Sequence, residues 1–89
     1  MTAFVYILRC SDGSYHVGST RSSLEARVAE HNAGTFRGYT WIRRPVELVF
    51  HEFSERITDA IAAERQLKGW SRAKKEALIN GDTSAGRET

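Results

Sequence analysis

The sequence predicts a small α+β domain in which helices flank a three-stranded antiparallel sheet, in the order ββαβαα. Two observations carry this prediction. The first twenty residues hold two runs of apolar, aromatic and β-branched side chains around a set of turn residues, which is typical of a β-hairpin. The remainder holds one further run of that kind among segments that begin with serine or threonine and end at glycine, which is typical of helices.

The length of the hairpin turn decides which side chains share a face of the sheet. A two-residue turn at Asp12-Gly13 would place Tyr6 and His16 on opposite faces. A three-residue turn that adds Ser11, with the glycine in the left-handed region, would pair Leu8 with His16. Tyr6 and His16 would then lie on the same face, because directly opposed residues share one.

The first helix and the third strand follow from capping and proline signals. Ser22-Ser23-Leu24-Glu25 matches a capping box, with a serine at the N-cap and the glutamate at N3, and Gly34 is suited to end the helix. Pro45 is predicted to open a strand over residues 46–53, because the start of a strand tolerates a residue without an N–H donor.

Two more helices are predicted before the chain loses its apolar pattern. Thr58 can cap a second helix that ends near Gly69, and Ser71 can cap a short third helix that stops at Gly81. Residues 81–89 have no apolar anchor and are predicted to form a disordered tail. The folded domain is therefore expected to span residues 1–80.

Composition narrows the class of protein. The chain has 89 residues, which fits one globular domain. Its formal net charge of +2 and its pI near 9.0 are weak evidence for a nucleic-acid partner. No run approaches the roughly 18 apolar residues of a membrane span, and the N-terminus lacks the basic segment of a signal peptide. A lone Cys10 cannot form an internal disulfide, so a cytoplasmic protein is predicted.

Arg27 and His31 are predicted to meet where the first helix joins the sheet. Leu24 and Val28 define the apolar side of that helix, His31 projects between them, and Arg27 lies at the border. Residues four apart are neighbours on a helix. Two interpretations stay open at this point: a structural arginine with a core histidine, or a functional pair.

Glu64 is the second side chain that does not fit its helix. It projects into an apolar stripe of the second helix, where a buried carboxylate costs several kcal/mol unless it is paired or binds a metal. The structural alternative is a salt bridge to Lys68 one turn later, which contributes only about 0.3–0.5 kcal/mol on a helix surface. The stripe consists of Ile57, Ala60, Ile61 and Leu67.

These residues resemble, in order, the motifs of the GIY-YIG nucleases, and in particular their short single-domain bacterial branch. Phe4-Val5-Tyr6 and His16-Val17-Gly18 resemble the two strand motifs that name the family. Arg27 and His31 match the Arg and His of the next helix, and Glu64 matches the Glu of a later one. Further matching segments are Asp12-Gly13, Tyr39-Thr40, Arg43-Arg44-Pro45 and Lys68-Gly69-Trp70-Ser71.

The resemblance implies an endonuclease that hydrolyses a DNA phosphodiester bond with one divalent cation, Mg²⁺ or Mn²⁺. It implies that Glu64 binds the cation, that Tyr6 or its partner on the second strand helps to activate water, that Arg27 stabilises charge on the phosphate, and that His31 assists proton transfer. These roles are chemically consistent, because phosphodiester hydrolysis needs a stabilised charge and a route for a proton. The resemblance also requires Tyr6 and His16 to share a face of the sheet, so it predicts the three-residue turn.

Two positions depart from the family pattern. Phe4 replaces a motif glycine, and His16 replaces the motif tyrosine. Tyr15 cannot take over that role, because adjacent strand residues point to opposite faces. Since imidazole exchanges protons near neutral pH, His16 would preserve activity, change its pH dependence or mark its loss.

Basic side chains of the loop before the third strand and of the later helices are predicted to contact DNA, duplex or branched, through its phosphates rather than its bases. A binding module that no longer cuts, or a nuclease subunit that relies on a protein partner for specificity, remains the alternative. Motifs for serine hydrolases, zinc sites and phosphate loops are absent from the sequence. The predicted nucleic-acid-binding residues are Arg37, Arg43, Arg44, Lys68 and Lys74.

Overall fold

A computed structural model describes residues 2–35 and 37–81 and confirms the predicted α+β architecture. The three strands form one antiparallel sheet in the order β2-β1-β3, so β2 lies at an edge. Apart from Gly81, the predicted tail lies outside the described residues. The elements are β1 (Ala3–Arg9), β2 (Tyr15–Thr20), α1 (Leu24–Asn32), β3 (Glu47–Ser54), α2 (Ile57–Lys68) and α3 (Arg72–Ile79), with a 3₁₀ turn at Trp41–Arg43.

The hairpin turn between β1 and β2 has three residues, 11–13. The Cys10 amide donates to the Ser14 carbonyl at 2.8 Å, and the Gly13 amide donates to the Cys10 carbonyl at 2.9 Å. Gly13 has a φ of 86°, in the left-handed region that glycine adopts without steric cost. The three-residue turn predicted for this hairpin is therefore confirmed, and the two-residue turn is wrong.

The register that follows from this turn places Tyr6 and His16 on one face. Leu8 pairs with His16, and Tyr6 pairs with Gly18. Tyr15 lies on the other face, where its hydroxyl donates to a carboxylate oxygen of Glu76 at 3.2 Å. Tyr15 therefore does not approach the position that the motif tyrosine would occupy.

Helices cover both faces of the sheet, and each face has its own core. α1 packs on the face that carries Tyr6 and Leu8, hereafter the α1 face. α2 and α3 pack on the opposite, α2–α3 face. The α1-face core contains Tyr6, Leu8, Cys10 and Val46, with Leu24, Val28 and Leu48 against them. The α2–α3-face core contains Val5, Ile7, Val17 and Leu67, with Tyr15, Val49, Phe50, Ala63, Trp70, Leu78 and Ile79 against them.

The N-terminus of α1 differs by one residue from the predicted capping box. Ser23 is the N-cap, and its hydroxyl accepts from the Ala26 amide at 3.1 Å, so Glu25 does not occupy N3. Ser22 is engaged elsewhere, because its amide and hydroxyl both bond to the Thr20 hydroxyl at the end of β2. Gly34 follows the helix with a φ of 81°, as predicted.

The later helices confirm one predicted cap and correct another. α2 begins at Ile57, so Thr58 lies inside the helix and does not cap it. The Arg56 carbonyl closes the first turn by accepting from the amides of Asp59 and Ala60. Half-buried Ile57 thereby joins the helix. Ser71 caps α3 as predicted, accepting from the Lys74 amide at 3.2 Å.

Candidate active site

An open cleft of about 290 Å³ lies at the β2 edge of the sheet, between α1, α2 and the loop that precedes the 3₁₀ turn. We call it the edge cleft. All five residues that the sequence singled out for catalysis line it, although they come from four different elements. The lining residues are Tyr6, His16, Val17, Gly18, Ser19, Arg27, His31, Gly38, Tyr39, Thr40 and Glu64.

Tyr6 reaches the edge cleft because its strand partner is glycine. Tyr6 is only 3% exposed, and its ring lies across Gly18. A Cβ atom at residue 18 would come 2.5 Å from the Tyr6 hydroxyl oxygen and 2.7 Å from Cζ, closer than such atoms can approach. The strand glycine is thus explained by close approach of a neighbouring side chain.

The His31 imidazole lies beside the Tyr6 hydroxyl, and the His16 imidazole packs against His31. His31 Nε2 is 3.5 Å from that oxygen, and His31 Nδ1 is 2.7 Å from the Thr40 hydroxyl oxygen. The His16 ring packs edge-on to His31, with centroids 5.2 Å apart, and stacks on Tyr39 with centroids 6.1 Å apart. The arrangement forms a continuous polar path from Thr40 through His31 to Tyr6.

Burial is the main influence on the pKa values of His16, His31 and Tyr6. It lowers the pKa of His16 to about 4, with a further lowering from the nearby His31. Burial, and then the charge of Arg27, also lower the pKa of His31. Burial raises the pKa of Tyr6, against the lowering effect of Arg27. At neutral pH both imidazoles are therefore uncharged and able to accept a proton, while Tyr6 keeps its own.

Glu64 stands at the α2 side of the cleft with its carboxylate well defined by contacts. The Ser19 hydroxyl donates to Oε1 at 2.7 Å, and Lys68 Nζ lies 2.9 Å from Oε2. Burial raises the pKa of Glu64, but the hydrogen bonds from Lys68 and Ser19, together with the charges of Lys68 and His16, outweigh that effect and lower the pKa. Glu64 is thus ionised at neutral pH, and the predicted salt bridge to Lys68 is present.

The donor set around Glu64 fits a weakly held hard cation. An ionised carboxylate has about four lone-pair sites, and the two contacts described leave capacity on both oxygens. Mg²⁺ commonly binds proteins through one or two carboxylates and keeps water in its other positions. The described residues contain no group of three or more His, Cys, Asp or Glu side chains that could hold a metal ion.

Arg27 lies on α1 at the rim of the same cleft. Its side chain is 25% exposed, and its Nη1 lies 3.8 Å from Glu30 Oε1 in a loose pair. The charge of Arg27 is close enough to lower the pKa of both Tyr6 and His31. A guanidinium in this position is suited to bind two oxygens of a phosphate.

The three arginines predicted to bind DNA lie outside the residues that line the cleft. The guanidinium carbons of Arg37 and Arg44 lie 4.9 Å and 5.3 Å from the centre of the Trp41 ring, and both residues are exposed. Arg43 Nε donates to Asp12 Oδ2 at 3.0 Å. Arg43 therefore ties its loop to the hairpin turn, while Arg37 and Arg44 form a cationic surface around one indole.

The two lysines predicted to bind DNA have different surroundings. Lys68 adjoins the edge cleft through its pair with Glu64. Lys74 lies over the Trp70 ring, with Nζ 4.4 Å from its centre, and Trp70 packs on the α2–α3 face. Lys74 is thus not brought together with the cleft.

Three residues of the site were not assigned a role from the sequence. Ser19 holds the Glu64 carboxylate, Tyr39 covers the His16 ring, and Thr40 holds His31. The glycine of the second strand was a signal for close approach, but it did not identify Ser19. The match of Tyr39-Thr40 to the family pattern marked this segment, but it did not indicate that Thr40 contacts His31.

The geometry agrees with a comparison of the sequence with protein families. A sequence profile of the GIY-YIG catalytic domain matches residues 2–77. The chain belongs to the GIY-YIG family. The match includes the five catalytic candidates and all six strands and helices except the last residues of α3.

Relatives within the GIY-YIG fold are small proteins of similar length. A UPF0213 protein of Staphylococcus aureus is 45% identical over 76 residues, which are 85% of this chain and 92% of the relative. The solution NMR structure of a UPF0213 protein from Bacillus halodurans has a TM-score of 0.57 and 36% identity, covering 90% of this chain and 84% of that one. A solution NMR structure from E. faecalis has a TM-score of 0.61 and 35% identity, covering 93% and 88%.

One further finding concerns membranes. Among the residues that the structure describes, no helix combines the length and the apolar character required to cross a bilayer.

Proposed function

We propose that this chain is an endonuclease that hydrolyses a phosphodiester bond in DNA with the help of one divalent cation, Mg²⁺ or Mn²⁺. The observation that carries the proposal is the convergence of Tyr6, His16, Arg27, His31 and Glu64 on one cleft of about 290 Å³. Membership of a family whose matching domain is described as catalytic supports it.

Glu64 is the residue that would hold the cation. It is ionised, it faces the cleft, and its side chain is 19% exposed, so solvent and a phosphate can reach it. When bound, a divalent cation supplies Lewis-acid charge for a phosphate oxygen and favours ionisation of a water. Ser19 orients the carboxylate through its 2.7 Å hydrogen bond.

Tyr6 and His31 supply the path for the proton that leaves the attacking water. The Tyr6 hydroxyl faces the cleft, and the uncharged His31 imidazole stands behind it at 3.5 Å. That distance is long for a hydrogen bond, as is common for catalytic contacts before substrate binds. Arg27 lies at the rim, where its guanidinium stabilises charge that develops on the phosphate.

His16 occupies the place of the motif tyrosine on the second strand. With a pKa of about 4 it is neutral at physiological pH, so it accepts a hydrogen bond or a proton rather than acting as an acid. Its ring lies 5.2 Å from the His31 ring and 6.4 Å from the Tyr6 ring. We therefore include His16 among the residues that contact water or substrate.

A second candidate function is a DNA-binding module that does not cut. The observation that favours it is the engagement of both Glu64 oxygens, by Ser19 and by Lys68. In that case Glu64 serves mainly to hold α2 against β2. The basic residues around Trp41 would still bind phosphate.

The test compares Glu64→Gln with wild type on duplex, nicked, flapped and branched DNA, with Mg²⁺, Mn²⁺ or EDTA. Glutamine keeps the shape and the hydrogen bond from Ser19 but removes the charge. Cleavage is expected to fall roughly 100-fold or more, because metal charge stabilisation amounts to several kcal/mol. Binding to the same DNA should persist, since it depends mainly on arginine and lysine contacts to phosphate.

Glu55→Gln is the matched control, because Glu55 is exposed and lies outside the cleft. It should cut as wild type does. If wild type binds DNA but cuts none of these forms with either metal, the binding-module function is correct. If Glu64→Gln cuts at the wild-type rate per folded molecule, Glu64 is a structural partner of Lys68 and the metal assignment is wrong.

A further inference from the structure

Thr40 is buried in a loop whose neighbours are exposed, and its side chain is turned towards a single histidine. It is 1% exposed, whereas Tyr39 beside it is 42% exposed. Its hydroxyl oxygen lies 2.7 Å from His31 Nδ1. Burying a hydroxyl is costly without a partner, so the His31 contact explains how this position tolerates one.

At the position of Thr40 in the loop, a threonine hydroxyl would normally make a different hydrogen bond. Thr40 is the N-cap residue of the 3₁₀ turn Trp41–Arg43, a position where threonine usually accepts a hydrogen bond from a backbone amide. Here the hydroxyl makes no such cap bond. The Thr40 side chain thus bonds to His31 and does not cap the 3₁₀ turn that Thr40 precedes.

The loop holds Thr40 firmly enough for this contact to orient a ring. The Arg43 amide donates to the Thr40 carbonyl at 3.0 Å, and the Ser11 amide donates to the Arg43 carbonyl at 2.9 Å. The Arg43 side chain bonds Asp12 Oδ2 at 3.0 Å and the Tyr39 carbonyl at 2.9 Å. These contacts fix the residues on both sides of Thr40 to the hairpin turn.

The second nitrogen of His31 faces the Tyr6 hydroxyl, so the bond at Nδ1 determines what Nε2 can do. A neutral imidazole carries one proton, and the hydrogen bond at one nitrogen selects the role of the other. If Nδ1–H donates to Thr40, Nε2 carries a lone pair that can accept from the Tyr6 hydroxyl, 3.5 Å away. If the proton were on Nε2, His31 could not accept the proton of Tyr6.

We propose that Thr40 is a positioning residue that holds His31 in the Nδ1–H tautomer, so that Nε2 accepts the proton of Tyr6 during hydrolysis. This inference rests on the proposed nuclease function. In the step, the Tyr6 proton passes to Nε2 while the Tyr6 oxygen takes a proton from the attacking water, so the count of protons is conserved. Burial and the charge of Arg27 lower the pKa of His31, so the imidazole is uncharged before the step.

The tautomer is measured directly by long-range ¹H–¹⁵N correlation NMR of the imidazole at neutral pH. In wild type, Nδ1 of His31 should give the signal of a protonated nitrogen and Nε2 that of an unprotonated one. Thr40→Val keeps the shape of the side chain and removes the hydroxyl, so the Nδ1–H form should lose its dominance. Thr40→Ser restores the hydroxyl and should restore the wild-type pattern.

Cleavage kinetics provide the second measurement. Loss of a group that orients a metal-ligating histidine typically costs roughly 10–100-fold in activity. A similar decrease in kcat, with KM little changed, is expected for Thr40→Val, because Thr40 orients His31 in the same way. Thr40→Ser should retain most of the activity. Thr40→Ala, which removes the hydroxyl without a branched side chain, replaces Thr40→Val if the valine variant does not fold.

The outcomes separate this inference from the proposed function. If wild type cuts no DNA, the proposed function fails, and the NMR pattern still decides whether Thr40 sets the tautomer. If the folded variant without a hydroxyl keeps the wild-type tautomer, the inference is wrong. It is also wrong if Thr40→Ser loses as much activity as Thr40→Val, because the methyl group and not the hydroxyl would then matter.

Discussion

The half-buried His16 imidazole should make the free energy of unfolding depend on pH between about pH 4 and pH 6.5, and replacement of His16 should remove that dependence. In the native protein the pKa of His16 is lowered from 6.5 to about 4, mainly by burial. The unfolded chain therefore binds a proton at His16 between these values, and the folded chain does not. Above about pH 6.5, His16 has no effect on the free energy of unfolding. As the pH falls below that value, the free energy of unfolding decreases, and the loss due to His16 is complete near pH 4.

The size of the decrease in stability follows from the difference between the pKa values of His16 in the unfolded and native protein. Each pH unit between the two pKa values corresponds to about 1.4 kcal/mol, which gives roughly 3 kcal/mol between neutral pH and pH 4. The ring is only partly buried, so about 2–3 kcal/mol is the expected loss. This is a large fraction of the stability of a small domain.

Urea denaturation at several pH values from 7 to 4 measures the loss in wild type and in His16→Asn. The asparagine variant does not titrate in this window, so its free energy of unfolding should fall about 2–3 kcal/mol less than that of wild type. His51→Asn is the matched control, because His51 is exposed on β3 of the same sheet, and it should follow wild type. Equal losses in wild type and His16→Asn would show that His16 is not held neutral by the fold.

The remaining two predictions concern the packing of the site and its surroundings. Gly18→Ala should destabilise the protein by about 1–3 kcal/mol and reduce cleavage, because the new Cβ overlaps the Tyr6 ring. Gly38→Ala has no atom within 4 Å of its added Cβ and should not destabilise the protein. Equal urea midpoints for the two variants would contradict the close approach of Tyr6 to Gly18. DNA affinity should fall steeply with salt concentration and vary little with DNA sequence. Arg37→Ala should reduce the slope of log K against log salt by about 1, because one phosphate contact is lost. Filter binding or fluorescence anisotropy measures both effects. Arg9→Ala, an exposed arginine at the end of β1, should leave that slope unchanged. Strong discrimination between duplexes of one shape would contradict phosphate-based binding.

Local signals in the sequence were sufficient for the architecture, whereas the match to the family motifs decided between the two registers that the hairpin residues allow. Gly13 takes the left-handed conformation that a three-residue turn needs, and the turn alone fixes Tyr6 opposite Gly18. Ser71 and Gly34 act as the helix boundaries that their residue types favour. Each of these features depends on residues within a few positions of one another.

Features that depend on distant partners were not predictable in this way. Ser22 is an equally good N-cap by residue type, but its hydroxyl is used by Thr20, so Ser23 caps α1. Thr58 is excluded from the cap of α2 because half-buried Ile57 joins the helix. The role of Thr40 is fixed by a histidine on another element, and no pattern in its own loop indicates that contact.

The contacts that build the edge cleft join parts of the chain that are far apart in sequence. Tyr6 meets His31 across 25 positions, and Ser19 meets Glu64 across 45. Contacts that close loops of this length form later in folding than helices and hairpins. The conformational entropy of the loop is lost on closure, before the contact can compensate for it. Until α2 has been synthesised and docked, a growing chain holds Tyr6, His16, Arg27 and His31 without the carboxylate of Glu64. If the chain is the nuclease proposed above, incomplete copies released from the ribosome would therefore lack the carboxylate that cleavage needs.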